Sequence, residues 1–407
     1  MIETAYVSVR QTQTDFEVAD VLRLYGEQYR QQYLVTPEQA RVMGALTACR
    51  TAQLGGHVNV CQDCGAVQIA YNACRDRHCP KCGKFKKAQW LENQKVMLLP
   101  IPYFHVVFTT DHAINQLVPA NQRAIYDLLF QTATASLKEM AQTQLGGKMG
   151  ITAVLHTWSQ RLNPHLHLHC IVTGGALAAG GERWLACRPG YLVDVVALSA
   201  LFRTKFCRGL RRLTKQGQLH LPTEFDLPSL VAAIEQKNWQ VFAKEFAQPE
   251  AVYEYLSRYV NQVAISNYRI TNISQGQVSF SYYDNLDKGQ QKELTLPALE
   301  FIKRFLWHVL PTGFVRIRYY GLHHSSARAE ILPRCRWLLG LTQKLPEPEP
   351  LILALWLETV IGVEVHRCPF CGQLGTMTRW AEVEQTPWLW LILKVVIGLV
   401  VPRPVPL

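Results

Sequence analysis

Apolar positions recur every three to four residues over several long stretches and every two residues over a few short ones, so the chain reads as a mixture of helices and strands. In residues 15–33, Phe16, Val18, Val21, Leu22, Leu24, Tyr25 and Tyr29 fall at near-helical spacing. Thr36, Pro37 and Gln39 then have the form of a capped helix start, and that helix is expected to run to Gln53 and stop at Gly55-Gly56. Residues 103–110 (YFHVVFTT) are rich in aromatic and β-branched side chains and predict a strand. A helix is expected over 121–141, followed by strands over 151–158 and 165–173 that form an antiparallel hairpin closed by Gly174-Gly175. Helices are predicted over 195–212, 250–263 and 296–310, strands over 278–283 and 313–320, and a small helical insertion over 222–248.

One stretch of this pattern carries chemistry. In Asn163-Pro164-His165-Leu166-His167-Leu168-His169-Cys170 three histidines alternate with leucines. On a strand all three imidazoles share one face, and the leucines turn to the core. Imidazoles at that spacing can converge on one metal ion, and a site with few protein ligands keeps open positions for substrate or water. His156 on the facing strand and His105 on the earlier one are candidates for a further ligand, although each also reads as an ordinary half-buried strand residue. The helix over 250–263 carries Tyr255 and Tyr259 four residues apart, hence on one face, with Arg258 beside them. A phenolic oxygen can attack a phosphodiester to give a covalent phosphotyrosine, although two tyrosines on a helix are more often plain packing. The strand over 313–320 carries Arg316 and Arg318, expected on one face.

Composition narrows the class. The chain has 407 residues, enough for two or three domains, and 42 Lys and Arg against 31 Asp and Glu give a net charge of +11, which suits a polyanionic partner. Residues 1–10 are polar and lack the apolar run of a signal peptide, so the expectation is a reducing cytoplasm in which paired cysteines bind metal instead of forming disulfides. The apolar stretch 388–401 is interrupted by Lys394 and Gly398 and falls short of a membrane span, so no membrane partner is expected. Cys61-x-x-Cys64 and Cys79-x-x-Cys82, 14 residues apart, predict a four-thiolate zinc site. His57, Cys74 and His78 lie in the same stretch and could build a second site or replace a member of the first. Arg75, Arg77, Lys81 and Lys84 around these knuckles favour a DNA-binding role for the module. Cys368-x-x-Cys371 reads as half a zinc site with no identified partner.

Taken together, CRTAQLGGH, CQDCG, NACRDRHCPKC, YFHVVFT, LHTWSQ, HLHLHCIV, YLSRYV, LPALEFIKRFL, HVLPTGFVRIRYYG and the late CPFCG resemble the IS ninety-one type of rolling-circle insertion-sequence transposase, within the HUH endonuclease superfamily. The resemblance implies an α+β fold: a ferredoxin-like antiparallel sheet with helices and the histidine strand at its centre, behind a helical, zinc-binding N-terminal domain. It implies N-terminal helices over 1–56, the zinc domain over 57–100, a catalytic domain over 101–330 with its insertion about 195–248, and a C-terminal region over 331–407. It assigns His167 and His169, with His165 before them, to a catalytic Mg2+ or Mn2+, and Tyr255 and Tyr259 as nucleophiles that cut single-stranded DNA at transposon ends and targets. Structural Zn2+ and a homo-oligomer are further expectations. The alternatives are a plasmid replication initiator and a non-catalytic, zinc-dependent DNA-binding protein.

Overall fold

The computed structural model describes residues 16–383, apart from 247, 250, 253–254, 256–262, 285–286, 288, 343, 349, 362–363 and 365–366. Tyr259, Arg258 and the apolar stretch 388–401 lie outside the described residues. The chain divides into two units, one made of Met1–Gln89, Ile265–Val309 and Pro350–Leu407, the other of Trp90–Ala264 and Leu310–Glu349.

In the first unit, helix Pro37–Ala48 begins as its sequence predicts. The Gln39 amide donates to Thr36 Oγ1 at 3.2 Å and the Gln39 side chain accepts from the Thr36 amide at 3.0 Å, so two end groups of the helix are satisfied reciprocally. The helix stops earlier than Gln53, because Cys49 leaves it in an extended conformation to join other cysteines. Strand Gly56–Cys61 lies between Val67–Tyr71 and Met377–Val383 in a three-stranded antiparallel sheet. A second three-stranded meander, Ile270–Ser274, Gln277–Asp284 and Gln290–Pro297, leads into helix Ala298–Trp307. Its apolar face buries Phe301, Ile302, Phe305 and Leu306.

The second unit is built on a five-stranded antiparallel sheet. We label its strands β1 (Tyr103–Thr109), β2 (Gly150–Trp158), β3 (Pro164–Thr173), β4 (Val241–Phe246) and β5 (Ile317–Gly321), and they lie in the order β5-β2-β3-β1-β4. The histidine strand β3 is therefore central. On one face Leu166, Leu168, Cys170 and Val172 are buried, as are Phe104, Val106 and Phe108 of β1. Helices α1 (Val118–Met140) and α2 (Val195–Lys215) cover that face, with Phe108 meeting Phe202 of α2 edge-on at 5.0 Å. Hydroxyls buried in α1 donate to their own helix, Thr132 to the Leu128 carbonyl at 2.7 Å and Ser136 to the Thr132 carbonyl at 2.8 Å, so no solvent is needed to satisfy them.

One predicted element changes type. Residues 241–246, read within a helical insertion, form the edge strand β4, paired along β1 from Tyr103 opposite Phe246 to Phe108 opposite Val241. VFAKEF alternates over only six residues, too few for a period to show beside the helix Leu227–Glu235 that precedes it.

Candidate active site and metal centres

Register decides which histidines meet. His156 on β2 stands directly opposite His167 on β3. His169 faces Val107 and His105 faces Ile171, which places His105 and His169 on a diagonal. Direct and diagonal neighbours project from the same face of a sheet, so four imidazoles gather on the face opposite the leucines. The ligand nitrogens of His156, His167 and His169 all lie within 4.8 Å of one another. His165, at the start of the strand, is not part of this trio; its ring lies 4.6 Å from that of His167 and 6.1 Å from that of His112. His156, a candidate further ligand that also reads as an ordinary strand residue, is the third member of the trio because the hairpin brings it across.

The tautomers follow from the partners. His167 Nδ1 lies 2.8 Å from the His165 carbonyl oxygen, which can only accept, so Nδ1 carries the proton and Nε2 is left to bind metal. Burial, reinforced by the positive charge that neighbouring rings would carry, pushes His105 down to about 4 and His169 down to about 3 and holds His167 well below the usual histidine range. These rings are therefore neutral at pH 7, the form that binds a metal. The three imidazoles of His156, His167 and His169 fit a divalent transition ion and would leave positions on it open.

Tyr255 reaches this cluster from a helical residue. Its Oη lies 2.7 Å from His105 Nε2 and 2.8 Å from His169 Nδ1, and those two nitrogens are themselves 2.8 Å apart. Its ring packs 4.3 Å from that of His105 and 5.4 Å from that of Phe246 on β4. The edge strand missing from the sequence reading thus helps to seat the tyrosine. Arg316 lies with its guanidinium 5.3 Å from the Trp158 ring, which stacks on His156 at 4.9 Å. Arg318 takes the other side of the sheet, paired with Asp127 of α1 at 2.5 Å and over the Phe130 ring at 4.1 Å. The two arginines do not share a face as predicted, because Arg316 precedes the regular part of β5 and strand alternation does not extend to it.

The cysteines pair differently from their order in the chain. Cys79 and Cys82 gather with Cys49 and Cys74, and Cys61 and Cys64 gather with Cys368 and Cys371. The predicted quartet of Cys61, Cys64, Cys79 and Cys82 does not form. In the first group Cys49 lies 3.6 Å from Cys82 and from Cys79, and Cys74 lies 3.7 Å from Cys82. Zn–S bonds of about 2.3 Å at tetrahedral angles put sulfurs about 3.8 Å apart, so this group has the dimensions of a four-thiolate zinc site. Cys49 escaped the sequence reading because two Cys-x-x-Cys pairs already looked complete; Cys74, unpaired between them, was the signal that another thiol was needed. His57 and His78 join neither group. His57 pairs in register with Ala70, and burial lowers its pKa. His78 Nδ1 lies 2.9 Å from Asp76, whose carboxyl, although burial would raise it, is held well below the usual range by hydrogen bonds from His78 and Arg41. Among the basic residues of the module, Arg75 and Arg77 are exposed. Lys81 is tied to Glu17 at 2.7 Å, and Lys84 is partly buried, which lowers its pKa.

Comparison with known proteins gives the class. Residues 150–330 match the family described as "Putative transposase", and residues 21–110 match the family described as "Transposase zinc-binding domain". A "Putative transposase y4qJ" of Sinorhizobium fredii is 42% identical over 92% of this chain and 98% of its own length. The transposase for insertion sequence element IS801 of Pseudomonas savastanoi pv. phaseolicola is 29% identical over 80% of each. The protein is a DNA transposase with an N-terminal zinc-binding domain. It belongs to the IS ninety-one family of insertion-sequence transposases. Among solved structures, the conjugative relaxase TrwC in complex with oriT DNA, in a metal-bound form, aligns over 59% of this chain and 73% of its own with 15% identity and a TM-score of 0.24, too loose a superposition to bear on function.

Proposed function

We propose that this transposase cuts single-stranded DNA at the ends of its element by attack of a tyrosine oxygen on a phosphodiester, as in rolling-circle transposition. Tyr255 is the nucleophile, and the observation that carries the reading is its Oη at 2.7 Å from His105 and 2.8 Å from His169, beside three convergent imidazoles. His156, His167 and His169 would hold Mg2+ or Mn2+, with imidazole ligation favouring Mn2+. When bound, that ion would withdraw charge from the scissile phosphate and stabilise the charge that builds up in the transition state. As the bond from Tyr255 Oη to phosphorus forms, the bond from phosphorus to the 3' oxygen breaks, leaving a 5'-phosphotyrosine and a free 3'-OH. The proton of Tyr255 lies within reach of His105 Nε2, which burial keeps neutral and able to accept. The phosphotyrosine retains the bond energy for a later strand transfer, in which Tyr259 would serve as the second nucleophile. Arg258 and Arg316 would contact phosphates near the cut, and the zinc module, through Arg75 and Arg77, would hold the DNA. A homo-oligomer acting on DNA in the cytoplasm completes the proposal.

The test is a covalent adduct. Protein incubated with Mn2+ and single-stranded oligonucleotides from the element's ends should yield a species of protein and DNA that survives denaturation. The Tyr255→Phe, Tyr259→Phe double variant and His167→Ala should yield none. Adduct from the double variant would reject the nucleophiles, and no adduct from wild type on any end sequence would favour a protein that only binds DNA.

A further inference from the structure

The second cysteine group joins stretches of chain more than 300 residues apart: Cys61 Sγ lies 3.7 Å from Cys371 Sγ, across a sequence separation of 310, and Cys64 Sγ lies 3.7 Å from Cys368 Sγ, across 304. These separations are far beyond a disulfide bond and close to the edge of a zinc–thiolate tetrahedron, about 3.8 Å. The two halves are built alike. In each, the glycine after the second cysteine adopts a positive φ, +70° at Gly65 and +75° at Gly372, and donates its amide to the carbonyl of the first cysteine, at 3.0 Å from Gly65 to Cys61 and 2.9 Å from Gly372 to Cys368. Such a turn holds two sulfurs of one Cys-x-x-Cys pair toward a common point. Two of these turns face each other, and Thr376 Oγ1 lies 3.2 Å from Cys61 Sγ, as a partner that orients a ligand would.

We propose that Cys61, Cys64, Cys368 and Cys371 bind a second zinc ion, distinct from that of Cys49, Cys74, Cys79 and Cys82, which clasps the C-terminal strand Met377–Val383 onto strand Gly56–Cys61. Cys368 and Cys371 lie outside both matched families, which span 21–110 and 150–330. The local packing explains why a metal is needed. The buried cluster here consists of Cys61, Cys368 and Met377 with Ala66 against it, too little apolar surface to close so long a loop. Cys61 is paired with Met377, so the clasp sets the register of this end of the edge, as far as the shift between Val58 and Asn59. Its loss would free the C-terminal segment and expose the edge of strand Gly56–Cys61.

Zinc content of the full chain, purified under reducing conditions, tests this. The Cys368→Ser, Cys371→Ser double variant should carry one equivalent of zinc fewer than wild type, and limited proteolysis should now cut it readily between the second unit and residue 377. Equal zinc in the two proteins would overturn the proposal. Should the double variant fail to fold, cobalt substitution of wild type and of Cys371→His replaces it. The histidine variant should bind as much cobalt as wild type, with the sulfur-to-cobalt absorption reduced by the share of one thiolate. An unchanged absorption would exclude Cys371 from the metal.

Discussion

His105 shows how much can rest on one side chain that binds no metal itself. Its Nε2 touches both the Tyr255 oxygen and His169 Nδ1, so it orients the proposed nucleophile and a candidate ligand together. Partners of this kind typically contribute about 10–100-fold in metal affinity or activity. His105→Ala should therefore lower Mn2+ affinity and adduct yield by roughly that factor, while circular dichroism stays unchanged. The same burial makes the site sensitive to acid. His105 and His169 are pushed down to about 4 and about 3, whereas in the unfolded chain they titrate near 6.5. Below about pH 6.5 the unfolded chain binds protons that the folded rings refuse, so stability falls as pH drops toward 4 and is level above 7. Protection of β1 amides from exchange, taken relative to the unfolded chain at each pH and without added Mn2+, should fall over that range in wild type and less so in His105→Gln; equal slopes would contradict a buried, neutral His105.

At the scale of elements, the sheet depends on close backbone approach at its edge. Gly321 ends β5 at φ +63°, paired with Gly150, and a Cβ there would stand 1.8 Å from the Met149 carbonyl oxygen. A non-glycine residue in that conformation costs on the order of 1–3 kcal/mol before any clash is counted. Gly321→Ala should destabilise the second unit by about 3 kcal/mol or more, read as a lowered denaturant midpoint, since the carbonyl belongs to backbone that cannot rotate aside. Legibility at this scale follows length and period. Helix Pro37–Ala48 stands in the sequence as a cap, β3 as alternation, and β1 and β2 as runs rich in aromatic and β-branched residues. Strand β4 and the strand Gln290–Pro297 did not, since edge strands half open to solvent carry a weak apolar signal.

For the whole molecule, the net charge of +11 predicts how DNA is held. If six to ten phosphates are neutralised, affinity for a single-stranded end should fall by roughly 10^2.5–10^4 between 50 and 200 mM salt, with a linear log–log slope. A flat dependence would mean that bases, not backbone, supply the affinity. Among the described residues no helix is long and apolar enough to cross a membrane. The presence of an alternating histidine strand, of Cys-x-x-Cys pairs and of a basic balance was written in the sequence, because each is a pattern over a few residues or a sum over all of them. Which thiols gather, which imidazole joins His167 and His169, and which of Arg316 and Arg318 turns toward them were decided only by tertiary structure. Those choices depend on register between strands and on segments that return from hundreds of residues away, and no local spacing encodes either.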